Sequence, residues 1–240
     1  MLEASLWGLR YVRMITETPG VSSMERLKRR YAFIHIVSFT PSSLPGFSET
    51  VKKTPLIRLD RPIEDIFAAF NDTTRNEIRR TEKMPELSFV HGERHRGDAY
   101  SLYRAFEHAQ GRTPKPKNEI TRSLLFTAYW KEELIATAIC FEDGGWVRLS
   151  HLASRRLTNT KEYSHAIIAY ASRRLMYEIC RWGKQHEKHS FDLGIINLSD
   201  PSKKGIAQFK QSFGGLIVDT YIYRWKSPLF RFVTRLWYLD

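Results

Sequence analysis

"FDLGIINLSDPSKKGIAQFKQSFGG" (residues 191–215) sets a short strand against a glycine-bounded helix. The first part, with Ser190 before it, reads as an apolar strand that ends on Asp192 and Gly194. After Gly205, the residues Ile206, Phe209 and Phe213 fall at i, i+3 and i+7, the spacing of one helical stripe. Gly214 and Gly215 then release the chain into "LIVDTYIYRW" (216–225). Lys210 adjoins Phe209 at the border of that stripe. A lysine so placed either snorkels to water along an amphipathic helix or carries its charge into a site beside Asp192.

Working outward, the chain alternates strand and helix signals. "YAFIHIVSFT" (31–40) and "TPLIRLD" (54–60) read as strands, separated by a Pro/Ser/Gly loop. Residues 61–83 carry Ile63, Ile66, Phe67, Phe70 and Ile78 at helical spacing, with a polar middle, "NDTTRNE", that divides them into two helices. A strand (86–93), a helix (97–111) and a short helix at "NEITRSL" follow. Next come the strands "LFTAYW", "LIATAICFE" and "WVRLSHLAS", joined by "KEE" and by "DGG", a hairpin signal. A long helix over 161–182 shows the stripe Ile168, Ala171, Leu175, Ile179 and Trp182. Pro228 can open a last amphipathic helix. The order predicts a mixed α+β class. Its expected parts are an N-terminal extension (1–85), a main domain (86–226) and a C-terminal amphipathic helix (227–240).

The 240 residues are 42% hydrophobic, enough for a core, and 38 Lys and Arg against 26 Asp and Glu leave a net charge of +12. That excess favours anionic partners without choosing among phosphates, nucleic acid and acidic membranes. The only cysteines, Cys140 and Cys180, lie in apolar runs and read as buried thiols in a reducing compartment. The N-terminus lacks the pattern of a secretory leader, and no window approaches the ~20 apolar residues of a membrane span. The expectation is a cytoplasmic protein, with peripheral contact to the inner face of a membrane as an option. The tail (221–240), which interleaves Arg224, Lys226, Arg231 and Arg235 with aromatics, could lie in a membrane interface, stack on nucleic acid or pack on its own domain.

The element order resembles the GNAT acyltransferase superfamily, and the motifs resemble its FemAB-like branch, transferases of cell-wall peptide bridges. "TTRNEIRRTEK" (73–83) is similar to that branch's Arg-Asn-x-Ile-Arg helix. "FDLGI" (191–195) with "GIAQFKQSFGG" (205–215) is similar to its Asp-x-Gly-Gly and Gly-x-x-x-Phe-Lys-x-x-Phe-Gly pair. The resemblance covers about 54–225 and implies a GNAT-like mixed sheet flanked by helices, with a partial α/β half before it. It also implies acyl transfer to an amine. The chain departs from the pattern in three ways. Ile195 stands where a second Gly is usual, and the length does not accommodate two complete GNAT domains. The segment ahead of the long helix, "ASRRLTNTKEYSH" (153–165), contains no glycine to cradle a CoA pyrophosphate. Arg155, Arg156 and an Asn159–Thr160 cap are the remaining candidates to hold acyl-CoA (acetyl-CoA) phosphates. Aminoacyl-tRNA is the other donor that the resemblance implies.

Acyl transfer to an amine needs deprotonation of the amine, stabilisation of an oxyanion and positioning of both reactants. The resemblance assigns Lys210 to the oxyanion. Asp192 could manage the amine, or could equally be a turn aspartate. Strict alternation puts His151 on one strand face with Val147 and Leu149, and Arg148 with Trp146 and Ser150 on the other. His151 would serve as general base only if a bulge turned it. Arg148, and the helical pair Arg75 and Arg79, could hold anionic acceptor groups beside Phe209. The histidines show no metal-ligand spacing, and no metal is expected. The expected acceptor is a small-molecule or lipid-linked glycan or peptide precursor of the cell envelope, an amino sugar among them. A GNAT-like module that only binds tRNA or other nucleic acid is the rival reading, and the sequence is silent on oligomeric state.

Overall fold

The structure, a computed structural model, describes residues 1–92, 96–157 and 163–237. The chain runs β1 (Leu2–Leu6), β2 (Leu9–Thr16), α1 (Val21–Arg30), β3 (Phe33–Ser38), β4 (Ser48–Arg58), α2 (Ile63–Ala68), α3 (Asp72–Thr81), β5 (Leu87–His91) and α4 (Arg96–Ala109). It continues α5 (Lys117–Thr121), β6 (Leu124–Trp130), β7 (Glu133–Asp143), β8 (Trp146–Ser154), α6 (His165–Gln185), β9 (Ser190–Asp192), α7 (Lys204–Gln211), β10 (Leu216–Lys226) and α8 (Pro228–Trp237).

The ten strands of the described residues form one mixed sheet in the order β1-β2-β3-β10-β4-β9-β8-β7-β6-β5. Short connections give antiparallel pairs. Trp7 and Gly8, both at positive φ, close the β1–β2 hairpin, and Gly144 turns β7 into β8. The parallel pair β2–β3 is bridged by α1, as a crossover requires. The last strand, β10, returns to the N-terminal half and lies antiparallel between β3 and β4. The sheet is thus continuous past residue 85, through the antiparallel β4–β9 pairing.

One face of the C-terminal half is covered by α2, α3 and α6. The expected α6 stripe, Ile168, Ala171, Leu175, Ile179 and Trp182, is buried there against Phe126, Ala138, Val147 and Phe191. The opposite face of that half is covered by α4 and α5 through Tyr103, Phe106 and Ile120. In the N-terminal half, α1 packs Met24 on Val12, Ile34 and Ile36. The other face of that half curls inward, and Leu2, Ile15 and Val37 meet Phe141 of β7. Polar contacts fix the curl. The Ile15 amide donates to Asp143 Oδ2 (3.0 Å), and the Met1 ammonium lies 3.1 Å from Asp143 Oδ1. The inward faces of both halves therefore bound a common interior.

The polar middle of 61–83 does divide two helices. Asn71 caps α3 by accepting from the Thr74 amide (2.8 Å), while its own amide donates to Ser212 O (2.9 Å). That bond docks the start of α3 on the end of α7, and Thr74 Oγ1 reinforces it with a bond to Ser212 Oγ (2.9 Å). The approach depends on Gly214, which has φ +66° and whose missing Cβ would sit 2.0 Å from Ala69 O. Gly214→Ala is expected to lower unfolding free energy by about 1–3 kcal/mol from backbone strain alone, measured by urea denaturation. An unchanged midpoint would show that the α3–α7 junction is not tightly constrained.

Candidate functional site

β8 and β9 run parallel for three residue pairs, the last being Arg148↔Asp192. Beyond that point they part. β8 continues beside β7 alone, while the other chain turns at Gly194 (φ +77°). A Cβ on Gly194 would lie 3.0 Å from Leu149 O and 3.3 Å from Lys210 Nζ, so glycine allows three segments to converge at the mouth of the gap.

Lys210 enters this gap. Its Nζ donates to Ile195 O (2.9 Å). The helix is rotated from its expected phase: Ile206 is 50% exposed and Ala207 is buried instead, which puts Lys210, at i+3 from Ala207, on the inward side. The side chain keeps partial exposure, but desolvation of its ammonium end pulls the pKa down to about 8. The Asp192 charge acts against that shift and the Arg148 charge adds to it.

Asp192 departs from its expected role. It is wholly buried, and its Oδ1 accepts from Thr54 Oγ1 and from the Gly194 amide (2.7 Å), while Oδ2 accepts from Arg148 Nη1. With every bond made inside the protein it cannot meet an acceptor amine. It is a positioning residue that ties β4, β8 and the Gly194 turn together. Arg148, 4% exposed, is committed to the same pair and is not a free clamp.

His151 also departs from its expected role. Between the pairs Cys140↔Leu149 and Ile139↔His151 the register shifts, leaving Ser150 as the extra residue of a bulge. The bulge does turn His151 to the other face, opposite Leu149, where it packs edge-on to Tyr103 with Nε2 3.4 Å from the hydroxyl. Burial there, helped by Arg13 and opposed by Glu119, pushes its pKa down to about 3. A neutral imidazole with so little affinity for a proton is a poor general base.

The remaining candidates do not gather at the gap. Arg75 is spent on the Ala68 carbonyl (2.7 Å), the Phe70 carbonyl and Asp72, closing the α2–α3 turn. Arg79 lies over the Phe67 ring (5.4 Å), and Phe209 packs under Arg173 and against Phe213. Arg155 pairs with Glu133 (3.0 Å) and the Leu134 carbonyl, and Arg156 lies over Phe106 of α4, so both belong to the α4 side of the sheet. Asn159 and Thr160 lie outside the described residues. Among the described residues no group of three or more His, Cys, Asp or Glu could hold a metal ion, and no helix is long and apolar enough to cross a membrane.

Sequence reasoning missed Thr54, Arg13, Glu119 and His35, and weighed Arg224 only as part of the basic aromatic tail. Arg13 bonds Glu119 (2.6 Å) and Ser150 Oγ (2.9 Å), more than 100 residues away in each case, and no local pattern signals such partners.

No family model matches the sequence, and no curated protein does. Solved structures do match in fold. FemX aligns with a TM-score of 0.61 at 10% identity over 94% of this chain and 83% of that one. The C-terminal domain of a protein assigned as a lysylphosphatidylglycerol synthetase from Agrobacterium fabrum aligns at 0.57, with 13% identity over 88% and 74%. L-PGS from Bacillus licheniformis aligns at 0.54, with 13% identity over 98% and 84%. The likeness is one of fold: a mixed sheet flanked by helices, the layout that the motif pair implied.

Removing one partner of a buried ion pair leaves the other charge uncompensated. Asp192→Ala should therefore cost about 3–5 kcal/mol in denaturant unfolding, and the double variant Arg148→Met/Asp192→Leu should recover most of it. Recovery no better than the single variant would mean the pair is not the source. For His151, the folded pKa of about 3 lies below the ordinary histidine value of about 6.5, so the unfolded chain binds the extra proton between those values. Its contribution is present above pH 6.5 and is lost as pH falls. His151→Gln should therefore lose about 2 kcal/mol less than the wild type between pH 6.5 and 5, read from urea midpoints. Parallel curves would refute the assignment.

Proposed function

We propose that the chain is an acyltransferase that joins an activated acyl group to an amine in the gap where β8 and β9 part. The observation that carries this reading is the Lys210 ammonium, desolvated, held by Ile195 O, and within the field of the Arg148–Asp192 pair. In the reaction the acceptor nitrogen forms a bond to the acyl carbon, the bond from that carbon to the donor's leaving oxygen or sulfur breaks, and the amine proton leaves for the departing group or solvent. The carbonyl oxygen bears negative charge in between, and a fixed cation in a low-dielectric gap stabilises it at little reorganisation cost. The chain's own contribution is thus oxyanion stabilisation and positioning, without a covalent enzyme intermediate.

The donor reading follows from what surrounds the gap. The segment before α6 has no glycine, and Arg155 and Arg156 face α4. Both features weigh against CoA and leave an aminoacyl ester, carried on tRNA, as the favoured donor. The net charge of +12 suits that polyanion, and the likeness to FemX and to a lysylphosphatidylglycerol synthetase domain supports an amine or lipid-linked acceptor of the cell envelope.

The test is turnover with a panel of aminoacyl-tRNAs and acyl-CoAs against amino-sugar and lipid-linked amines. Lys210→Ala should keep its circular dichroism and lose about 100-fold or more in kcat, the scale of one oxyanion donor. If Lys210 acts as a cation, activity is present while it is protonated and declines as pH rises through about 8. Lys210→Arg should remove that decline, since arginine stays charged. A rising limb near pH 8 would instead make Lys210 a base, and near wild-type turnover in Lys210→Ala would refute its role.

A further inference from the structure

β10 carries the chain 11 residues away from α7 before α8 begins, so α8 and the Lys210 gap lie at opposite ends of that strand. The seat of α8 is well defined. The Ser227 amide donates to Ala32 O (2.8 Å), Ser227 Oγ accepts from the Phe230 amide (3.2 Å), and the Phe230 ring stacks on Phe33 at 5.2 Å. Phe230 is buried by that contact. Leu229 and Phe232 are not. They share the outward side at i and i+3, and are 56% and 63% exposed. α8 is thus apolar on two sides, and only one of them meets the protein.

Cations border the outward pair. Arg231 and Arg235 are exposed and stand at i, i+4 on the adjoining strip, where like charges repel. No acidic residue lies between Pro228 and Trp237 to offset them. Register brings more positive charge to the same end of the sheet. Ala32, whose carbonyl seats Ser227, donates its own amide to Arg10 O (2.7 Å). Arg10, Arg29 and Arg30 therefore lie beside the start of α8, with Lys226 at the end of β10. Glu3 meets Arg10 (2.7 Å) and Arg30 (3.7 Å). Among the described residues Arg29, Lys226, Arg231 and Arg235 have no ion-pair partner. Trp7, at the tip of the β1–β2 hairpin shortly before Arg10, is 47% exposed.

We infer that α8 and the basic end around it form a docking surface for an anionic lipid bilayer, with α8 lying in the plane of the interface. Its ten residues are too few to span. An apolar strip flanked by arginines instead suits the boundary between headgroups and acyl chains, where the apolar side chains enter and the guanidinium groups meet lipid phosphates. Nucleic acid fits less well, because bases stack on aromatic faces and Leu229 offers none. A second copy fits less well too, because packing α8 on α8 brings the same cations together with no carboxylate on the helix to pair them. The inference goes beyond the acyltransferase reading and does not depend on it, since the surface and Lys210 are held apart by β10.

Co-sedimentation of the full chain with vesicles of equal parts phosphatidylglycerol and phosphatidylcholine tests the surface without turnover. The wild type should bind these vesicles and not pure phosphatidylcholine. Leu229→Ser/Phe232→Ser and Arg231→Gln/Arg235→Gln should each weaken binding about tenfold or more. Lys83→Gln, past the end of α3, controls for general charge and should bind as the wild type does. So should Lys210→Ala, which keeps loss of activity and loss of docking separate results. Phe232→Cys carrying a polarity-sensitive dye gives a second readout, selective because Cys140 and Cys180 are buried. Its emission should shift to the blue on the anionic vesicles. No wild-type capture, undiminished capture of Leu229→Ser/Phe232→Ser, or an unshifted dye would overturn the inference. RNA binding or dimerisation that needs Leu229 and Phe232, while vesicle capture does not, would overturn it as well.

Discussion

The buried pair between Arg148 and Asp192 is the constraint on which the candidate site depends. A charged pair out of water is tolerated only where its remaining bonding capacity is met, and here Thr54 and the Gly194 amide complete the carboxylate. Those bonds come from β4, β8 and the turn after β9, so the point where the sheet begins to open is also where it is most firmly tied. The gap is held open because the chain just beside it cannot shift without stranding a charge. Lys210, on a helix that follows within 20 residues, inherits its position from that tie.

Much of this fold was legible locally. The α6 stripe, the Asn71 break and the β7–β8 turn follow from periodicity, capping and turn chemistry acting over a few residues. The motif pair around Asp192 and Lys210 pointed to residues that do lie together. Other features depend on events that no local window contains. The Ser150 bulge inverts the facing of His151, and alternation alone puts it on the wrong side. The phase of α7 follows from docking against α3 and the Gly194 turn, which turns Ile206 outward and Lys210 inward. β10 joins the N-terminal half across more than 150 residues of intervening chain, and its register creates the Arg224–His35 neighbourhood. The β1–β2 hairpin carried a signal in Trp7-Gly8 between alternating runs, and a reading of the N-terminus for leader sequences alone passes over it.

The motif residues also divide by what their surroundings leave them able to do. Asp192 and Arg148 satisfy one another so fully that their chemistry is structural. Lys210 is less satisfied: a single carbonyl bond and a distant carboxylate offset a desolvation that exceeds them, and its pKa falls to about 8. A group poised near neutrality at an opening is the kind that catalysis uses, whereas a fully paired one is inert.

Arg148 links this poise to the rest of the interior. Its positive charge lowers the pKa of Lys210 and of His35 alike. The same guanidinium ties down the Asp192 carboxylate and biases two basic groups on other elements toward their neutral forms. Removing it would therefore strand the buried carboxylate and change the poise of Lys210 together, so the tie and the opening beside it are not separable features of the fold.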